Sequence, residues 1–196
     1  MGNSLPQAAE TLSNPFGIRP RIWDTIQNLR LMDDILMRVV LDGNRPAVEL
    51  ILRIILEKPD ITVTELTVQK DLPSLFGRSL CLDVKAVDSK GKRYNIEVQR
   101  SDAEAGPKRA RFHAAMLDVD FLKKGQKTDS LPESFVVFIT ENDYFGDSLP
   151  FYWFDRKLRE GEKELGDGLH IVYANGAYRG DDAMGRLMGD FREPNL

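Results

Sequence analysis

Two hydrophobic periods run through the chain, and the switches between them mark out its elements. Between residues 47 and 58 apolar side chains cover most of one helix, leaving Glu49, Arg53 and Glu57 as a single polar stripe at i, i+4 spacing. Asn44 stands where an N-cap is needed, Pro46 falls in the first turn and Pro59 stops the run, so a mostly buried helix is expected here. Residues 61–72, rich in Thr and Val, read as a strand followed by a loop at 73–77, and two further strands are expected at 79–88 and 92–100. Pro107 opens a helix to about residue 124, with Phe112, Ala115, Met116, Val119 and Leu122 expected along its apolar face. Lys123 and Lys124 suit the negative end of that helix, and Gly125 terminates it. Residues 133–140 read as a buried strand, 151–154 and 169–174 as shorter ones, and 181–191 as a last helix. This order predicts an α/β fold, a mixed sheet with helices packed against it.

Ser89-Lys90-Gly91 fits a three-residue hairpin loop, a type I turn closed by a residue with positive φ. If Asp88 then faces Lys92, Asp83 faces Glu97 and Gln99 is the diagonal neighbour of Asp83. That register places Leu80, Leu82, Val84 and Ala86 beside Tyr94, Ile96 and Val98 on one face, and Asp83, Lys85, Asn95, Glu97 and Gln99 on the other. A slip of one residue would mix the two sets. Two facing carboxylates repel and raise each other's pKa unless a cation lies between them. A hard divalent ion, bound through one or two carboxylates and several waters, relieves the repulsion and can activate water for attack on a phosphate. The same alternation also describes a plain hairpin with one solvated face, on which Lys85 pairs diagonally with Glu97.

Composition narrows these readings. The 196 residues suffice for one sizeable core, and 42% hydrophobic with 30% charged residues is an ordinary globular balance. Residues 1–30, polar and broken by Pro6, Pro15 and Pro20, are expected to form an arm or lead-in, with residues 31–196 a single domain. No apolar run approaches the roughly 20 residues of a membrane span, and the start lacks the layout of a signal peptide. The single cysteine, Cys81, forbids an internal disulfide, and the cytoplasm is the expected compartment. His113 and His170 show no metal-ligand spacing and read as packing or surface residues. The net charge of −4 does not describe a strongly basic nucleic-acid binder, yet residues 83–111 carry eight basic and five acidic side chains, a local +3.

Leu82-Asp83-Val84, then Asn95-Ile96-Glu97-Val98-Gln99-Arg100, Arg109-Ala110-Arg111-Phe112-His113 and Phe138-Ile139-Thr140-Glu141-Asn142-Asp143 resemble the PD-(D/E)XK nuclease family transposases, also called recombination-promoting nucleases. The resemblance runs from about Asp34 to about Asp190, and the aspartate strand followed by Glu-x-Gln is its most specific part. It implies a restriction-endonuclease-like core, a central mixed β-sheet flanked by α-helices, and Mg²⁺- or Mn²⁺-dependent cleavage of DNA phosphodiesters by a hydrolase associated with mobile elements or recombination. Carried over residue by residue, Asp83 and Glu97 are metal ligands, the Val98 carbonyl is a third, and Gln99 takes the position of the superfamily lysine. Gln99 can donate and accept hydrogen bonds but cannot neutralise a phosphate as a lysine does. Glu49 matches the place of an additional acidic residue on the first core helix, where a salt bridge to Arg53 is the competing reading. Met37-Arg38 stands where relatives commonly carry Phe-Lys after the early aspartate.

Lys85, Arg100, Lys108, Arg109 and Arg111 are the expected contacts to the DNA backbone, with Lys108 and Arg111 one turn apart where helix N-terminal amides also favour an anion. No base-reading motif is evident, and whether a homodimer is needed to cut both strands is left open. The competing function is a catalytically silent nucleic-acid- or protein-binding module that keeps the nuclease fold.

Overall fold

In the computed structural model, residues 17–73 and 79–194 are described. The expected loop at 73–77 falls almost wholly outside them, as do residues 1–16 of the expected arm. Three helices lead in: α1 (Pro20–Gln27), α2 (Asp34–Leu41) and α3 (Arg45–Ile55). They are followed by β1 (Val63–Leu72), β2 (Leu80–Asp88), β3 (Arg93–Gln99), α4 (Pro107–Phe121), β4 (Ser134–Thr140), β5 (Phe151–Phe154), β6 (Leu169–Asn175) and α5 (Ala183–Arg192). The strands form one mixed sheet in the order β1-β2-β3-β4-β6-β5. β1, β2 and β3 are antiparallel neighbours, β3, β4 and β6 run parallel, and β5 returns antiparallel on the edge.

Helices cover both faces. α2, α3 and α5 bury Met37, Leu41, Leu52, Ile55, Met188 and Phe191 against Val84, Tyr94, Ile96, Val137 and Ala174. α4 buries Ala110, Ala114 and Leu117 against Leu82, Val136, Phe138 and Tyr173. The central strand β4 is buried at every position, as its continuous apolar run requires of a parallel strand covered twice. Asn44 caps α3 by accepting from the Ala47 N–H at 3.2 Å, and Asp182 caps α5 by accepting from the Gly185 N–H at 2.7 Å.

The hairpin between β2 and β3 has the expected register, with Val84 opposite Ile96, Lys85 opposite Asn95 and Ala86 opposite Tyr94. Its turn closes through Gly91 N–H to Asp88 O at 3.0 Å, and Gly91 takes φ +79°. Asp88 fastens the turn by accepting from Lys90 N, Lys92 N and the buried Tyr94 hydroxyl.

Two expectations about faces need correction. Leu80 and Leu82 pack in the α4 layer, whereas Val84 and Ala86 pack in the opposite one. The stripe breaks at Asp83, where β1 carries Gln69 at φ +54° between the pairs Val68 with Val84 and Lys70 with Leu82. On α4 the buried set is Ala110, His113, Ala114, Met116 and Leu117, while Val119 is 67% exposed. The buried stripe is centred on a histidine, which a hydrophobicity pattern counts as polar.

Candidate metal centre

The chemistry gathers where β2 and β3 part. Their paired register ends at Val84 and Ile96. One residue further on, side chains replace backbone as cross-strand partners. The Asp83 N–H donates to Glu97 Oε1 at 3.1 Å, and the Val98 N–H donates to Asp83 Oδ2 at 3.1 Å. The two carboxylates are therefore held across the fork from each other, each anchored to the opposite strand.

Glu97 is fully buried. Its Oε1 also accepts from Asn95 Nδ2 at 2.8 Å and lies 3.3 Å from His113 Nδ1. Its Oε2 is buried with no hydrogen-bond partner among the described residues. A buried, unsatisfied carboxylate oxygen is costly, and a cation is one partner that would remove the cost. Burial, and then the neighbouring Glu97 charge, push the Asp83 carboxyl up to about 7, with the Val98 N–H pulling the other way. A carboxyl raised by burial and then by a like-charged neighbour is in a setting that a cation held between the two carboxylates would relieve.

Asp34, at the first position of α2, contributes to the same rise. It is bound to Arg38 one turn on and lies 3.5 Å from Gln69 Nε2, which places a third acidic residue at the edge of the fork. The sequence carried a signal for it, the early aspartate before Met37-Arg38. Glu49, expected as the additional acid, is elsewhere. Its Oε2 pairs with Arg53 at 2.8 Å and its Oε1 accepts from the Val63 N–H at 2.8 Å. Val63 is opposite Asp88, at the turn end of the hairpin, so Glu49 ties α3 to β1 far along the strand from Asp83.

Among the described residues no three His, Cys, Asp or Glu side chains form a ready-made metal cluster. The fork offers two carboxylates, which suits an ion that keeps waters in its shell rather than an all-protein cage. Gln99 is half-buried at the end of β3, level with Thr140 of β4. Cys81 is exposed, and partial desolvation together with Asp71 raises its thiol pKa, against any nucleophilic role.

The basic residues divide. Lys85, expected at the DNA surface, is instead tied to Asp120 on α4, because α4 covers the hairpin's polar face. Arg100 is bound to Asp33 at 2.7 Å and Glu141 at 3.3 Å. Arg109 pairs with Glu104 at 2.9 Å, and its charge lowers the Asp83 pKa. Lys108 and Arg111 are exposed and make no ion pair among the described residues. Lys108, Arg109 and Phe112 line a cleft of about 440 Å³ with Leu80, Ala103 and Glu104 at the start of α4. A larger cleft of about 800 Å³, lined by Arg30, Asp33, Asp34 and Arg100, opens at the α1–α2 side.

His113, expected from the sequence as a packing or surface residue, is fully buried on the inner side of α4, with Nδ1 3.0 Å from Asn95 Oδ1 and 3.3 Å from Glu97 Oε1, contacts the sequence pattern does not foretell. The available signal was its place in the Ala110, Ala114, Leu117 stripe, facing the strand that carries Glu97.

A mixed sheet covered by helices on both faces, with an Asp and a Glu facing each other where its hairpin forks, defines the restriction-endonuclease-like α/β class. Residues 42–175 match the family described as PD-(D/E)XK nuclease family transposase, and the chain belongs to that family. No curated protein and no solved structure gives a significant match. Family membership makes a nuclease-related function the coarse assignment. Among the described residues no helix is long and apolar enough to cross a membrane.

Proposed function

We propose that the protein is a divalent-metal-dependent DNA endonuclease acting in a mobile-element or recombination setting. Asp83, Glu97 and the backbone carbonyl of Val98 would hold Mg²⁺ or Mn²⁺. When bound, such an ion supplies an activated water and offsets the charge that develops on the attacked phosphate.

The chain's own residues do the rest. Glu97 keeps one oxygen anchored and the other unshared. Asp83 is held in line by the Val98 N–H, and its carboxyl would serve as a ligand in its ionised form. Gln99, at the end of the strand that carries Glu97, orients a water or a phosphate oxygen by hydrogen bonding without serving as a base. Lys108, Arg111 and Arg109 at the start of α4 receive the phosphate backbone, with Arg100 at the far side of the fork. Lys85 is withdrawn from this role.

The observation that supports this most is the buried Glu97 Oε2 without a partner beside a carboxyl raised to about 7. The test is a Mg²⁺ or Mn²⁺ titration with cleavage of supercoiled plasmid followed in the same samples, for wild type, Asp83→Ala and Glu97→Ala. Metal-dependent nicking lost in both variants is expected, and nicking that survives both would sink the site. Salt-sensitive DNA binding that needs no metal and persists in Asp83→Ala would instead identify a silent binding module on the nuclease fold.

A further inference from the structure

Asn95, two residues before Glu97 on β3, points to the same side of the sheet, and α4 lays His113 over both. All three side chains are fully buried. Their hydrogen-bond directions follow from valence alone. The Asn95 side chain meets the Val84 carbonyl, which can only accept, at 3.3 Å, so its NH₂ faces that carbonyl and also Glu97 Oε1 at 2.8 Å. Its Oδ1 is then turned to His113 Nδ1 at 3.0 Å, and the ring must donate there. His113 therefore carries its proton on Nδ1, and the edge of its ring against Phe138, with centroids 5.5 Å apart, fixes the ring plane.

The chain of donors runs one way, from His113 through Asn95 to Glu97. Together with the Asp83 N–H it directs the Asn95 amide at Glu97 Oε1, and no described residue donates to Oε2. We infer that Asn95 and His113 are positioning residues that saturate Glu97 Oε1 and so reserve Oε2 for a divalent cation. This rests on the reading of Glu97 as a metal ligand. Without the Nδ1 donor, Asn95 Oδ1 would be buried unpaired, and rotation of the amide to relieve it would set an oxygen against Glu97 Oε1. The carboxylate would then lose the orientation that leaves Oε2 free.

The test measures Mn²⁺ affinity of the intact chain without DNA, by electron paramagnetic resonance of the free ion, with thermal melts in chelator to follow folding. His113→Leu and His113→Gln remove the Nδ1 donor, whereas the amide nitrogen of His113→Asn can occupy the Nδ1 position. Expected is a roughly 10- to 100-fold loss of affinity in the Leu and Gln variants. His113→Asn should recover to within about threefold of wild type, a pattern that a packing role alone would not produce because Asn and Gln are both polar and buried alike. If all three variants bind as wild type does, or if Asn is as weak as Gln, the inference is overturned. Should His113→Leu melt early, the Asn and Gln comparison still decides. Asp83→Ala, run beside them, separates the two levels: wild-type affinity in that variant, or no Mn²⁺ binding by the wild-type chain, would overturn the ligand assignment and with it the positioning role.

Discussion

Replacing Asp83 by Asn should stabilise the metal-free protein, and only at neutral to alkaline pH. The folded Asp83 carboxyl titrates at about 7, against an ordinary value of 3.8, because it is buried beside Glu97. Its folded pKa is raised, so the unfolded chain ionises first as pH climbs. Stability falls between about pH 4 and pH 7 and then levels off. A shift of about three units corresponds to roughly 4 kcal/mol, and screening of a half-buried carboxylate by solvent brings the expected penalty to about 2 kcal/mol. Asn retains an oxygen for the Val98 N–H but carries no charge. Urea unfolding in chelator should therefore show Asp83→Asn more stable than wild type by about 2 kcal/mol at pH 8, with the two converging near pH 4. Excess Mn²⁺ should raise the wild-type midpoint and leave the variant's unchanged. A variant less stable than wild type at pH 8, or a difference that does not change between pH 4 and pH 8, would refute the account of a carboxyl strained by burial and a like charge.

Glu49→Gln should lower stability by about 1 kcal/mol through loss of its ion pair to Arg53 while leaving Mn²⁺ affinity unchanged, as measured by melts and metal titration. Gly176→Ala should cost about 2–3 kcal/mol in denaturant unfolding, because a Cβ there would stand 2.1 Å from the Thr140 carbonyl oxygen, a backbone atom that cannot swing aside. Lys108→Ala and Arg111→Ala should each weaken duplex binding across sequences and reduce the slope of log affinity against log salt by about one, with melts unchanged. Lys85→Ala should lower stability without altering that slope, since its partner is Asp120.

Much of the site was legible before any coordinates because a hairpin is a local object. The turn residues Ser89-Lys90-Gly91 and the alternation next to the turn set the register, and Val84 opposite Ile96 is what they require, whereas the break in alternation at Asp83 was not legible. The motif residues supplied the family by the same route, since they lie in consecutive segments whose order survives in one dimension. What failed were statements about partners distant in sequence. Lys85 was expected at the DNA backbone until α4 brought Asp120 to it, and Glu49, whose pairing with Arg53 the i, i+4 spacing already offered, is also claimed by the Val63 N–H. His113, passed over for want of metal-ligand spacing, acquires its role only when α4 folds back on the hairpin.

The sequence by itself determined the hairpin's register as far as Val84 and Ile96, because pairing within a tight hairpin depends on turn chemistry and on a side-chain period of two, and so brought Asp83 and Glu97 to the same end of it. Only the tertiary structure decided what their surroundings are. The same alternation allowed a polar face open to water, yet packing of α4 over Asn95 and Glu97 removes them from solvent. That burial leaves Glu97 Oε2 unpartnered, lifts the Asp83 pKa and sets His113 and Asn95 behind the pair. Dielectric and hydrogen-bond satisfaction depend on what covers a residue, and coverage is settled by segments far away along the chain.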